Sequence, residues 1–126
     1  MDWLYLAVGA VCGASLRHGV FLALAGGAYP WATLAVNVSG CAAAGAIVEV
    51  LAARGALAGS ARVFLISGFL GSYTTFSALA LDALGLAERG GGWKPIASAA
   101  LYAALSVAAG IASCAGAAWL ARRCGA

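Results

Sequence analysis

Charge is the scarcest property of this sequence. Only 9% of its 126 residues are Asp, Glu, Lys or Arg, against about 25% in an ordinary soluble domain, which excludes a water-soluble globular fold. Catalytic equipment is equally thin. His18 stands alone as a histidine, and the sequence offers neither a nucleophile with a base nor a metal-ligating cluster, so an enzyme is not expected. The net charge of +3 is scattered over the ends of apolar runs, which argues against a nucleic-acid partner and for interfacial anchoring. Cys12, Cys41, Cys114 and Cys124 form no CxxC pair. The first three lie inside apolar runs, where cysteine serves as a small packing residue. The start of the chain has no basic residue and only Asp2 as a charge, so a cleaved signal peptide is not expected.

What is present is apolar length. The chain is 64% hydrophobic with a mean hydropathy of +0.99, and uncharged runs cover 4–16, 28–48, 63–81 and 96–121. About 20 apolar residues cross a bilayer. The first run is short, but it resumes with 20–25 after Arg17 and His18. The expected fold is an all-α integral membrane protein in the lipid bilayer, one membrane domain over 1–126 with four transmembrane helices at about 3–25, 31–52, 62–87 and 95–121.

The third of these helices is not expected to be continuous. Residues 67–77 read Ser-Gly-Phe-Leu-Gly-Ser-Tyr-Thr-Thr-Phe-Ser, and Gly68, Gly71, Ser72, Thr74 and Thr75 together disfavour an unbroken helix. A break at membrane depth leaves bare N–H and C=O groups, tolerated only where they are buried in protein or line a watery or ion-binding cavity. The functional centre is therefore expected there.

Other residues take their meaning from that break. Gly9, Gly13 and Ala14 in the first helix offer a small-residue face for close packing. Arg17 either snorkels to the interface or attracts anions at a vestibule. In the second helix Thr33, Asn37, Gly40, Cys41 and Ala44 share a face; Asn37 is either interhelical glue or an N–H donor to a passing anion. Glu49, Arg54 and Arg62 read as solvated, and the glycine-rich stretch 88–95 reads as a surface loop. Asp82 could be buried or interfacial. Ser98, Tyr102, Ser106 and Gly110 recur every four residues in the last helix, a stripe suited either to a polar track or to packing against the broken segment.

Taken together these pieces are specific. Gly13-Ala14-Ser15-Leu16-Arg17, then Trp31-Ala32-Thr33-Leu34-Ala35-Val36-Asn37-Val38-Ser39-Gly40, then Gly68-Phe69-Leu70-Gly71-Ser72-Tyr73-Thr74-Thr75-Phe76-Ser77, with Tyr102 and Ser106 following, resemble the Fluc (CrcB) family of small fluoride channels along essentially the whole chain. The resemblance implies an antiparallel dual-topology homodimer in the bacterial plasma (inner) membrane that exports fluoride passively and relieves its toxicity. It implies a structural sodium ion at the dimer centre on the Gly71 and Thr74 carbonyls, and a fluoride path lined by Asn37, Thr75, Phe76, Tyr102 and Ser106, with Arg17 at the vestibule. A ring edge is electropositive, so phenylalanine can pass an anion without trapping it.

The sequence also departs from the family pattern. Leu79 stands where a second pore phenylalanine is expected, Ala78 lacks a hydroxyl, Asp82 replaces glutamate, Gly110 replaces a serine and Ser72 a glycine. Some members pair as non-identical subunits, so a heteromeric homologue is a possible partner, with this chain as an accessory subunit. A small proton-coupled multidrug exporter is the rival from another class, but it needs a membrane-embedded carboxylate in its first helix. Here that helix has none beyond Asp2.

Overall fold

The computed structural model describes residues 1–27, 29–90 and 92–125. Among them are four helical spans long and apolar enough to cross a membrane: α1 (Asp2–Ala23), α2 (Trp31–Ala53), a third span (Ser60–Ala87) divided into α3 (60–73) and α4 (Phe76–Ala87), and α5 (Trp93–Arg123). Chain punctuation explains the ends. Pro30 immediately precedes α2, and Gly55, at φ +65, lies just beyond its end, a backbone conformation that costs glycine little. Trp93 and Lys94 belong to α5 rather than to the loop in which the sequence placed them. Pro95 is tolerated there because the first N–H groups of a helix have no intrahelical acceptor. Gly91 of the same loop, and Ala28 between α1 and α2, lie outside the described residues.

Between helices in lipid there is little hydrophobic driving force, so close backbone approach has to hold them. Small residues provide it. A Cβ on Gly68 of α3 would stand 2.7 Å from the Leu6 carbonyl oxygen and 3.1 Å from Gly9 Cα, and one on Gly13 would strike the Phe69 carbonyl. α1 and α3 therefore pack backbone to backbone. Gly45 does the same for α2 and α5, facing the Cys114 carbonyl. Charge adds a tie at one end, where Arg122 of α5 pairs with Glu49 of α2. Glu49 is thus partnered, not merely solvated.

Two small apolar clusters flank the break. Val36, Leu70 and Tyr73 form one, with the Phe69 ring stacked on Tyr73 at 6.1 Å; Leu79, Leu86, Ala99 and Tyr102 form the other. Most other large apolar side chains face outward, as expected where lipid is the solvent. Trp3, Trp31, Trp93 and Trp119 are exposed near helix ends, where indole rings favour the headgroup region.

Candidate functional site

The third span approaches its break through a widened helix. Val63–Leu70 is π-helical, and the Gly71 N–H reaches back five residues to the Ile66 carbonyl, a winding frequently found at functional sites. The chain leaves the helix at Thr74 (φ −77°, ψ 159°) and Thr75 (φ −150°, ψ 115°), then re-enters it at Phe76. The break is narrower than the composition of 67–77 suggested. Gly68 serves the contact with α1, and Gly71 has ordinary right-handed helical geometry at φ −61° and is exposed. Among the described residues, nothing requires a glycine at position 71: a Cβ there would meet only the Ile66 carbonyl oxygen, at 3.6 Å.

Asn37 holds the break open. Its Oδ1 accepts from the Thr75 N–H at 2.8 Å, and its Nδ2 donates to the Thr75 carbonyl at 3.0 Å. In a continuing helix that Thr75 N–H would donate to the Gly71 carbonyl. The amide therefore substitutes for one helical turn and frees an acceptor. Gly40, one turn further along α2, leaves room for the Thr74 methyl group and the Tyr73 ring. Thr75 also restarts the helix, its Oγ1 accepting from the Ala78 N–H at 3.1 Å as the N-cap of α4. Arg17 reaches the same point: its Nη1 donates to the Thr74 carbonyl at 3.2 Å.

Two cavities meet at Thr75. One, about 270 Å³, is lined by uncharged groups, among them Asn37, Cys41, Thr75, Phe76, Leu79 and Ser106. The other, about 310 Å³, is lined by Ala14, Arg17, His18, Phe21, Thr75 and Ala78. Four of the five residues expected on the ion path thus share one wall. Tyr102 does not join them. It is 1% exposed, packs edge-on against Tyr29, and its hydroxyl donates to Asp82 Oδ2 at 3.4 Å.

The serine ladder of α5 turns inward for a simple reason. Ser98, Ser106 and Ser113 donate to the carbonyls of Pro95, Tyr102 and Gly110 in their own helix, the usual behaviour of hydroxyls in membrane helices. Only Ser113 among them also reaches another helix, at the Val38 carbonyl. Phe76 lies at the opposite extreme. It is 80% exposed. Leu79, 6% exposed, is both core and cavity wall, so a phenylalanine there would have to displace packed neighbours at about 1–3 kcal/mol. Cys41 is the wall residue that sequence reading missed, because a cysteine on an apolar face carries no signal distinct from packing.

The fold and the site define a multi-pass membrane protein whose polar centre is a broken helix bordered by an uncharged cavity, suited to a small ion rather than to bond-making. A family model described as CrcB-like protein, Camphor Resistance (CrcB), matches residues 4–118; the chain belongs to this CrcB family. Among curated relatives, the fluoride-specific ion channel FluC of Methylobacterium nodulans is 46% identical over 114 residues, covering 89% of each chain. The FluC of Rhizobium leguminosarum bv. trifolii is 47% identical over 116 residues, covering 86% of this chain and 92% of its own. That of a Chelativorans species is 43% identical over 121 residues, 93% of each.

Proposed function

We propose that this chain is a fluoride-specific channel that lets fluoride leave the cell passively, working as an antiparallel, dual-topology homodimer. Near-full-length identity to proteins of that name supports the ion; the cavity beside the Asn37 clamp supports the route. Asn37, Thr75, Phe76 and Ser106 line the path. Tyr102 supports it from behind, holding Asp82 away from the anion. Arg17 and His18 border the second cavity, where a guanidinium raises the local anion concentration. Phe76 and Gly71, both exposed in the single chain, are covered in the dimer. Fluoride efflux from liposomes containing only this chain tests the reading.

Dual topology has a charge argument. With the N-terminus in the cytoplasm, the inner connections and terminus carry Arg54, Arg62, Arg122 and Arg123 against Arg89 and Lys94 outside. Four against two, before any weight is given to Arg17, is a weak bias. Cysteine labelling at Cys124 in intact cells should find both orientations. A population oriented one way only would reject the homodimer and favour a non-identical partner.

The donor set at the break suits a sodium ion. The Gly71 carbonyl has lost its helical donor to Asn37, and the Thr74 carbonyl has left the helix with one lone pair shared with Arg17. Such neutral oxygens accept a hard monovalent cation, which would neutralise their dipoles and tie two copies together. Replacing sodium by N-methyl-D-glucamine should lower the dimer's thermal stability; unchanged stability would reject the site.

A further inference from the structure

The end of the bundle where α2 stops and α3 begins is basic. It carries Arg54, Arg62, Arg122 and Arg123 against the acidic side chains of Asp2 and Glu49. Two of these cations are engaged within the chain: Arg122 is paired with Glu49, and the Arg123 guanidinium lies 4.0 Å from the centre of the Trp119 ring. Among the described residues, Arg54 and Arg62 make no ion pair and no side-chain hydrogen bond.

Two apolar grooves flank the first turns of α3 at this same end. One, of about 500 Å³, runs between α1 and α3 past Leu4, Tyr5, Val8 and Phe64; the other, of about 290 Å³, lies between α2 and α3 and has Val50 and Arg54 in its wall. Ala61 and Leu65 belong to both. The grooves are therefore neighbours, divided by one strip of α3. Trp3, 82% exposed at the start of α1, and Tyr5 in the first groove place their mouths at headgroup depth.

Lipid tails are as apolar as the helices they surround, so filling such grooves gives fit in shape but little preference for one lipid over another. Preference has to come from charge. Arg54, a cation with no anion beside it in the wall of an apolar groove, favours a ligand that carries an anionic group next to hydrocarbon, and a pair of adjoining grooves matches two chains on one headgroup.

We propose that the start of α3 is a binding site for an anionic, two-chain phospholipid, whose acyl chains lie in the grooves on either side of Ala61 and Leu65 and whose phosphate meets Arg54 and Arg62. The site is separate from the ion path, and its readout is bound lipid, not transport.

The probe is an equimolar mixture of dioleoyl phosphatidylglycerol and dioleoyl phosphatidylcholine, given to the purified full chain in detergent, with retained lipid and subunit number read by native mass spectrometry. Native protein should retain phosphatidylglycerol over phosphatidylcholine by roughly twentyfold, at about fivefold for each arginine near a membrane surface. The double variant Arg54→Gln, Arg62→Gln should bring that ratio close to one. Arg123→Gln, which removes a charge from the same end but not from the grooves, should leave it unchanged. Ala61→Phe, which fills the strip common to both grooves, should lose most of the retained phosphatidylglycerol while keeping every charge. All variants are compared at native helical content by circular dichroism. Equal retention of the two lipids by native protein overturns the proposal, as does a native ratio in the double variant; an equal loss in Arg123→Gln would show diffuse attraction to a basic end instead of a site. A shift from dimer to monomer in Ala61→Phe with lipid retention unchanged would assign the grooves to a second copy of the chain, and so also overturn it.

Discussion

An Asn37→Leu protein is expected to lose fluoride transport by roughly ten- to several-hundredfold while keeping its four spans. Leucine preserves side-chain bulk but removes both bonds to the Thr75 backbone. Interhelical hydrogen bonds in membranes are each worth about 0.6–2 kcal/mol, and ~1.4 kcal/mol is a tenfold rate change, which sets that range. The route of failure is specific. Without the amide, the Thr75 N–H regains the Gly71 carbonyl as its nearest acceptor, and the break closes toward a continuous helix. The carbonyl that suits sodium and the N–H donor on the path are lost by one change. Transport and dimer stability should therefore fall together. Native transport in Asn37→Leu would show that the clamp is packing glue alone.

Phe76→Ile should lower transport without disturbing the fold of the protomer. Because Phe76 is 80% exposed in the single chain, shortening it disturbs little of the protomer's packing. Its loss removes an aromatic edge, a contact of about 0.5–1.5 kcal/mol for a neighbouring group, and position 79 supplies no second ring to compensate. Fluoride efflux should fall by about two- to tenfold, with the fold of the protomer intact. Undiminished efflux would remove Phe76 from the path.

The four spans and the place of the break were legible because they rest on composition: apolar length sets the crossings, and glycine with hydroxyls marks where a helix is weakest. The small-residue face of α1 was legible for the same reason, Gly9 and Gly13 being the positions that α3 approaches. Partners were not. Nothing in the sequence around Asn37 says that its amide bonds both backbone groups of Thr75, since the two are 38 positions apart. Nothing around Glu49 points to Arg122. Tyr102 illustrates the limit of periodicity: a stripe at every fourth residue fixes a shared helix face, yet the face toward the cavity and the face toward Asp82 differ by a fraction of a turn. The width of the break was also beyond composition, because Gly68 and Thr74 look alike as helix weakeners yet differ in role: Gly68 stays in the helix and admits α1, whereas Thr74 leaves it.

The central claim is that this chain, by itself, makes a fluoride path across a membrane. Its most direct measurement is fluoride efflux from liposomes reconstituted with the purified chain alone, followed with a fluoride electrode under sodium-containing conditions. A parallel chloride measurement, empty liposomes, and confirmation that the reconstituted protein is folded complete it. The account predicts rapid fluoride efflux well above the empty-liposome rate, with chloride retained; folded protein that releases fluoride no faster than empty liposomes would contradict it.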